Sequence, residues 1–407
     1  MLSRCIEVDQ AAFARDHWGR RPLLSVGARL PRDFDDLLST DDVDELIAER
    51  GVRAPFIRMA RDGSLLAREC YVGPAGFGAE MGDQVDSAKV LAEYAAGATI
   101  VLQGLHRLWP PVIDFVRAMV DDLGHPVQAN AYITPPSNRG FDPHYDVHDV
   151  FVLQTAGHKH WTVHAPVHPD PLDDQPWTRH RAAINERVAE EPFLDVVLEP
   201  GDSLYLPRGW VHSAQALGET SIHLTIGTAA VTGIDVLNIL VAAIGESSAD
   251  LRASLPMGID LTAHDDAAAI AAKTMALLVD VVRERGDELA DAVAPRLAAR
   301  HAERTRPEAI RPLSTMREVA DLSSSDAVVW RHGLVADVRP VGDRIQVVLA
   351  DRVIDFPHLC APAIDALRRG TSHRAGSLPG LDEHDGVVLA RRLLREAVIV
   401  RVDVNRP

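Results

Sequence analysis

The stretch Asn130-Ala-Tyr-Ile-Thr-Pro-Pro-Ser-Asn-Arg-Gly-Phe-Asp-Pro-His144-Tyr-Asp146 is the part of the sequence from which the rest of the chain is best interpreted. His144 and Asp146 are two positions apart. On a β-strand, where side chains alternate between the two faces, both would therefore point the same way. Together they can occupy one side of a metal ion, and a third ligand then has to come from elsewhere in the chain.

The third ligand is predicted to be His212. It closes the stretch Glu199-Pro-Gly-Asp-Ser-Leu-Tyr-Leu-Pro-Arg-Gly-Trp-Val-His212, which indicates a turn, an apolar strand and a second turn that delivers the imidazole. Two histidines and one carboxylate that leave coordination positions open are typical of the facial triad of non-heme Fe(II) oxygenases. The alternative is a chance trio of surface polar residues, and the Pro-Arg-Gly-Trp-Val-His motif argues against it.

The composition is ordinary for a globular protein of two or three domains. The chain has 407 residues, of which 46% are hydrophobic and 25% charged. Its net charge of −17 argues against bulk attraction to nucleic acid or an anionic membrane and suits a basic protein partner. Three scattered cysteines favour reduced thiols, and no apolar run is long enough to span a bilayer, so we expect a cytoplasmic protein.

Short strands separated by Gly, Pro and Asp turns are predicted between residues 128 and 230. They cover Asn130–Thr134, Val150–Gln154, His160–His164, Leu194–Leu198, Ser203–Leu206 and Ser221–Gly227. This pattern is typical of a sandwich or of a double-stranded β-helix of the cupin kind. In the preceding region, Phe13, Trp18 and Arg21-Pro-Leu-Leu predict an amphipathic helix that leads into a turn stopped by Pro22. Further helices are predicted after an N-cap at Ser39, at 88–96 and at 109–123, with a strand at 99–103.

The β pattern stops after Val231. Helices are predicted from Asp235 to Gly245 and from Asp265 to Arg300, and their apolar face would either form a dimer or pack within its own domain. After a linker near Thr305, short strands and two helices suggest a winged-helix-like unit that lacks the basic stripe of a DNA-reading domain. The predicted domains are therefore 1–230, 231–304 and 305–407.

Five motifs together resemble the ribosomal oxygenases, which are cupin-type JmjC 2-oxoglutarate oxygenases. These motifs are Asn130-Ala-Tyr-Ile-Thr-Pro-Pro, Gly140-Phe-Asp-Pro-His-Tyr-Asp, Val150-Phe-Val-Leu-Gln, His158-Lys-His-Trp and Pro207-Arg-Gly-Trp-Val-His. The resemblance is specific over residues 128–228 and architectural elsewhere. It implies an α+β fold, in which a double-stranded β-helix (cupin/JmjC) barrel precedes a helical dimerisation region and a winged-helix-like C-terminal domain.

The resemblance also implies roles for individual residues. His144, Asp146 and His212 match the iron ligands, and Lys159 matches the strand lysine that pairs with the distal carboxylate of 2-oxoglutarate. One or more of Tyr132, Asn130 and Thr134 would hydrogen-bond the cosubstrate, and His223 would border the cosubstrate or the substrate.

Other interpretations of these residues stay open. Lys159 could be a solvated strand lysine, and Tyr132 and Asn130 could be core residues whose polar tips are satisfied. Further histidines are expected to be solvated or structural, namely His148, His158, His160, His164 and His168.

The implied activity is hydroxylation of a histidine or arginine side chain in a ribosomal protein, with Fe(II) and 2-oxoglutarate. Demethylation of histone lysine has also been proposed for members of the family. Ser221-Ile-His-Leu-Thr-Ile and Leu251-Arg-Ala-Ser-Leu-Pro lean slightly towards the histidyl hydroxylases. One alternative is an oxygenase that acts on another peptide or a small metabolite, and another is a non-catalytic cupin module that holds a metal. Lys159 distinguishes a 2-oxoglutarate oxygenase from a non-catalytic module, because a binding module needs no cation opposite the metal ligands.

Overall fold

The computed structural model describes residues 1–61, 63–78, 80–136, 138–139 and 141–402. The chain divides into two compact units, Met1–Val231 and Thr232–Pro407. The predicted boundary at 304/305 lies inside the second unit, so the separation of a helical region from a terminal domain stays a prediction.

The first unit combines a β-rich core with short helices. Its strands are β1 (Leu23–Ser25), β2 (Ile57–Arg61), β3 (Ser64–Leu65), β4 (Val72–Gly73), β5 (Gln84–Val85), β6 (Thr99–Leu102), β7 (Val127–Thr134), β8 (Asp149–Ala156), β9 (Lys159–His164), β10 (Leu194–Leu198), β11 (Ser203–Leu206), β12 (Val211–Ala216) and β13 (Ser221–Thr228). Its helices are α1 (Gln10–Asp16), α2 (Thr40–Ala48), α3 (Ser87–Ala95), α4 (Pro110–Leu123) and α5 (Arg181–Arg187). The strands predicted between residues 128 and 230 are confirmed.

Two sheets form the barrel of this unit. The large sheet has the order β1-β11-β8-β13-β7-β6-β2-β3, and the small sheet has the order β10-β9-β12. Val150 and Val152 of β8 pack in one cluster with Trp161 and Val163 of β9, so this cluster fills the space between the sheets. Alternate residues of β8 instead join the main core, which also holds the helices. Because β8 is covered on both faces, it is a nearly continuous apolar run.

The N-terminal prediction was partly wrong. Helix α1 ends at Asp16, and Leu23 and Leu24 form β1 instead of continuing an amphipathic helix. Pro22 has no backbone N–H to continue a helix, and β1 gains pairing with β11 at the edge of the large sheet. The cap predicted at Ser39 is confirmed, because its side chain accepts from the N–H of Asp42 at the start of α2.

The second unit begins with helices and continues with short strands. Its helices are α6 (Gly233–Ser247), α7 (Ala249–Arg252), α8 (His264–Thr305), α9 (Pro312–Asp321), α10 (Ala361–Arg368) and α11 (Glu383–Arg395). Its strands are β14 (Ala327–Trp330), β15 (Asp337–Val341), β16 (Arg344–Val348), β17 (Val353–Pro357), β18 (His373–Arg374) and β19 (Ile399–Arg401). Within the described residues, no helix is both long and apolar enough to cross a membrane.

The predicted end of α6 at Gly245 was wrong, because the helix runs through this glycine to Ser247. A glycine inside a helix costs only about 1 kcal/mol, which the packing of Ala243 and Ile244 against α8 can offset. The chain leaves the helix at Ser248, whose side chain caps α7.

Gly157 makes the tightest approach in the connection that leads into β9. Its φ is +62°, and a Cβ atom there would lie 2.1 Å from the carbonyl oxygen of Thr220. Gly218 has a similar φ of +69°, but a Cβ atom there would meet nothing within 4 Å. The two positions therefore separate backbone strain from steric overlap.

We expect Gly218→Ala to lower the free energy of unfolding by about 1–2 kcal/mol, because it meets only the strain of a positive φ. Gly157→Ala should cost a further amount of about 1–3 kcal/mol, since the turn has to move away from Thr220. Urea unfolding of both variants measures the difference. Equal losses would show that the Gly157 turn relaxes freely.

Candidate active site

The three predicted metal ligands come together, although not through the strand that the sequence suggested. His144 lies in no regular strand, and Asp146 is in the loop before β8. His144 instead forms an isolated antiparallel bridge with His212 of β12. The backbone N–H of each residue donates to the carbonyl of the other, at 3.1 and 2.8 Å. This bridge, not strand alternation, sets the positions of the ligands.

The ligand atoms of the triad form a compact group. The Asp146 carboxylate lies 4.0 Å from Nε2 of His144 and 3.8 Å from Nε2 of His212. All three ligand atoms lie within 4.8 Å of one another. One metal ion can therefore be held by two imidazole nitrogens and a carboxylate oxygen on one side, with its other positions open.

Each histidine is oriented by a backbone carbonyl. Nδ1–H of His144 donates to the Asp142 carbonyl at 2.8 Å, and Nδ1–H of His212 donates to the Trp210 carbonyl at 3.0 Å. Because a carbonyl can only accept, each Nδ1 carries the proton and each Nε2 is left with a lone pair that can bind a metal. Burial, helped by His144, lowers the pKa of His212 to about 4, and Asp146 opposes this. A neutral imidazole is the form that binds a metal.

Lys159 is buried at the start of β9. It is 3% exposed, and its Nζ donates to Oγ1 of Thr134 at 3.0 Å. No described carboxylate pairs with it, and burial lowers its pKa to about 7. Lys159 and the triad line the same cavity of about 260 Å³. The cavity thus has a metal-ligand cluster and an ammonium group without a counter-ion.

Of the other predicted residues, three line the cavity and one, Asn130, is not among the described lining residues. Tyr132, Thr134 and His223 line the cavity, and the rings of Tyr132 and His223 stack with centroids 5.0 Å apart. Burial holds the pKa of His223 well below its usual value, so its ring is neutral. Oδ1 of Asn130 accepts from the N–H of Gly104 at 3.0 Å. Roles for these residues in cosubstrate binding stay predictions.

Sequence reasoning missed several residues of the cavity wall. The described wall also includes Arg58, Thr99, Phe141, Trp161 and Trp177. Arg58 lies between buried Ile57 and Met59 on β2. This alternation could have marked the stretch as a strand, but it does not place the strand beside the triad.

Five further histidines were expected to be solvated or structural, and none of them lines this cavity within the described residues. His158 contacts Glu219, His160 contacts Asp195, and His168 contacts Gln175. His164 is buried, and His148 is half-buried. Arg139 and Arg208, which are near the motifs in sequence, contact Asp142 and Asp170.

A family model described as "JmjC domain" matches residues 110–236. Ribosomal oxygenase 1 from Gallus gallus is 34% identical over 217 residues, which are 53% of this chain and 34% of that protein. Ribosomal oxygenase 1 from Rattus norvegicus is 37% identical over 220 residues, with the same two shares. The chain thus matches about a third of the length of these curated relatives.

The resemblance to the ribosomal oxygenases is confirmed. A further relative is the bifunctional lysine-specific demethylase and histidyl-hydroxylase NO66 of Aedes aegypti, which is 29% identical over 61% of this chain and 38% of that protein. The crystal structure of the Escherichia coli ribosomal oxygenase YcfD matches with a TM-score of 0.53 at 18% identity and covers 97% of this chain and 98% of its own. At this identity the match shows a shared fold, and it is consistent with the two-sheet barrel described above.

We expect the buried ammonium of Lys159 to make the stability of the first unit depend on pH. Its folded pKa of about 7 lies below the value of about 10.4 in an unfolded chain, so the unfolded state binds more protons between these values. The free energy of unfolding should therefore rise with pH from about 7 to about 10. Other groups also titrate there, so the quantity to measure is the difference between the wild type and Lys159→Met.

At pH 7 or below, the free energy of unfolding of Lys159→Met should exceed that of the wild type. The excess should shrink as the pH rises, in unfolding experiments without added ligand. Stability curves that stay parallel from pH 6 to 10 would place the Lys159 ammonium in water.

Proposed function

We propose that the chain is an Fe(II)- and 2-oxoglutarate-dependent oxygenase that hydroxylates a side chain of a ribosomal protein, histidine in preference to arginine. The observation that carries the proposal is the buried Lys159, which has no carboxylate partner among the described residues and shares its cavity with the triad. A buried cation without a counter-ion is costly, so its retention opposite a metal-ligand cluster points to an anionic ligand.

The donor set suits Fe(II). His144, Asp146 and His212 supply two neutral nitrogens and one carboxylate oxygen, and leave positions for the cosubstrate and oxygen. A solved YcfD structure is described as a complex with cobalt and 2-oxoglutarate, which supports this pair of ligands for a protein of the same fold. When bound, the metal and 2-oxoglutarate would supply the oxidising chemistry that inserts oxygen into a C–H bond.

The chain's own residues would position the cosubstrate and exclude water. Lys159 would pair with its distal carboxylate, and the Thr134 hydroxyl, which already accepts from Nζ, would hold the ammonium in place. Val150, Val152 and Leu206 form an apolar part of the cavity wall. A dry wall strengthens the attraction between the ammonium and a carboxylate.

A non-catalytic cupin module explains Lys159 less well, because metal binding alone places no requirement for a cation in the same cavity. A small-metabolite oxygenase would share all of these residues. The protein substrate is favoured by the relatives named ribosomal oxygenase, and histidine by the relative named a histidyl-hydroxylase. The net charge of −17 suits a basic ribosomal protein, since opposite charges speed encounter. We further propose a cytoplasmic location and no direct binding to nucleic acid.

Mass spectrometry of ribosomal proteins tests the activity. Ribosomal proteins from cells that lack the gene should gain about 16 Da, the mass of one oxygen, on incubation with the protein, Fe(II) and 2-oxoglutarate. Asp146→Ala should abolish the shift and leave the fold intact, because Asp146 belongs to a loop at the cavity and not to the core. Asp195→Ala is the matched control, since this exposed carboxylate lies outside the cavity. A full shift with Asp146→Ala would mean that the triad is misassigned.

We also propose that the second unit forms a homodimer. Leu278, on the apolar face predicted for the second helix, packs with α6 and so serves its own unit. Exposed apolar residues remain on both helices, and they include Leu237 and Val241 of α6 and Met275 and Val279 of α8. We propose that a second copy of the chain covers these exposed apolar residues.

The double substitution Leu237→Glu with Val241→Glu should shift the protein to monomer in light scattering at micromolar concentration, because burial of two unpaired carboxylates is costly. Leu91→Glu is the control, since Leu91 is 66% exposed on α3 in the other unit. A monomeric wild type would remove the proposal, and so would a double variant that stays dimeric.

A further inference from the structure

Arg58 projects from β2 into the wall of the cavity that holds the triad. Its guanidinium carbon lies 6.0 Å from the centroid of the Phe141 ring, and it comes within hydrogen-bonding reach of the Tyr132 hydroxyl. Phe141 also contacts the metal ligand His144, with ring centroids 6.0 Å apart. The guanidinium and the triad thus share Phe141 as a neighbour and line one cavity.

The guanidinium has unused donor capacity. Its Nε is buried and has no hydrogen-bond partner among the described residues, and none of their carboxylates forms an ion pair with it. Guanidinium groups only donate and stay charged at any physiological pH. A group that completes this site must therefore bring an acceptor atom.

The other charges in the loaded cavity do not compensate the positive charge of Arg58. Among its described lining residues, the charged groups are Arg58, Lys159 and Asp146. The charges of Fe(II), Asp146, Lys159 and the dianion 2-oxoglutarate cancel. A substrate side chain would thus enter a cavity whose net charge is that of the Arg58 guanidinium.

Two aromatic rings of the cavity, those of Phe141 and Trp177, already contact a cation of this chain. Arg58 lies over Phe141, and the guanidinium of Arg181 lies 4.8 Å from the centroid of Trp177, which is another lining residue. Aromatic faces are the usual recognition element for methylated ammonium groups. Here the chain's own guanidiniums already contact two of them.

We propose that Arg58 determines the substrate class, in that it excludes arginine, lysine and methyl-lysine and admits a neutral side chain with an acceptor atom, such as imidazole. The inference rests on the proposed function and goes beyond it, because it assigns the choice between histidine and the cationic residues to one side chain. Discrimination arises from like-charge repulsion against the wrong substrate together with a hydrogen bond to the right one.

The test uses the peptide segment that carries the oxygen in the mass-spectrometric experiment. Three synthetic peptides place histidine, arginine or lysine at the modified position, and their equilibrium binding to the Fe(II)- and 2-oxoglutarate-loaded protein is measured without oxygen. For the wild type, the histidine peptide should bind at least about tenfold more tightly than the other two. Arg58→Gln should remove most of the preference, Arg58→Glu should reverse it, and Arg58→Lys should retain it.

Two controls separate this role from others. Arg61→Gln removes a guanidinium from the same strand that pairs with Glu93 outside the cavity, and it should leave the preference unchanged. The affinity for 2-oxoglutarate should be retained in Arg58→Gln and fall by roughly two to three orders of magnitude in Lys159→Ala, which loses the proposed carboxylate partner.

The outcomes distinguish the inference from the function beneath it. Oxygen found on arginine or lysine overturns the inference and leaves the oxygenase standing. Full preference in Arg58→Gln also overturns it, and a loss of 2-oxoglutarate affinity in that variant would reassign Arg58 to the cosubstrate. If no ribosomal protein is oxidised, the proposed function fails and the inference fails with it.

Discussion

The pairing register of β12 with β9 is the constraint on which the arrangement of the site depends. His212 stands opposite Val163, and Ala216 stands opposite Lys159. These two pairs are four residues apart on each strand, so the register fixes a separation of about 13 Å along the sheet and puts both side chains on the same face. A slip by one residue would turn either His212 or Lys159 outward. The backbone bridge from His144 to His212 then attaches the remaining ligands to this register.

The site makes demands on stability that the rest of the first unit offsets. Lys159 is charged and buried, and Nε1 of Trp161 and Nδ1 of His223 are buried without a partner among the described residues. A buried donor or acceptor without a hydrogen-bond partner lowers the free energy of unfolding by about 1–3 kcal/mol relative to one that has a partner. The compensation comes from the two-sided burial of β8 and from the main core between the large sheet and the helices. The small sheet, in contrast, has exposed residues such as Val197 on its outer face.

The sequence predicted the elements whose signals are local. The strands around β8 and β13 follow apolar runs and turn residues, and the triad follows a motif. It did not predict β12, because Val211 is the one β-branched residue in Val211-His-Ser-Ala-Gln-Ala, and the extended form of this stretch depends on pairing with β9. Arg58 was missed for a related reason. β2 joins the large sheet through β6, which is about 40 residues further along the chain, and no local pattern marks a long-range pair.

Charge acts in opposite directions at two distances in the proposed function. The chain as a whole is strongly acidic, which favours approach by a basic protein over distances of about a Debye length, roughly 8–10 Å in physiological salt. Inside the cavity, the wall carries Arg58 and Lys159 against the single carboxylate of Asp146. A basic substrate protein would thus be attracted by the acidic chain as a whole. A cationic side chain of that protein would be repelled inside the cavity, because a low-dielectric cavity strengthens repulsion between like charges. Since the acidity of the chain would also attract arginine-rich and lysine-rich segments, cationic side chains would compete for the cavity, and the proposed role of Arg58 is to exclude them.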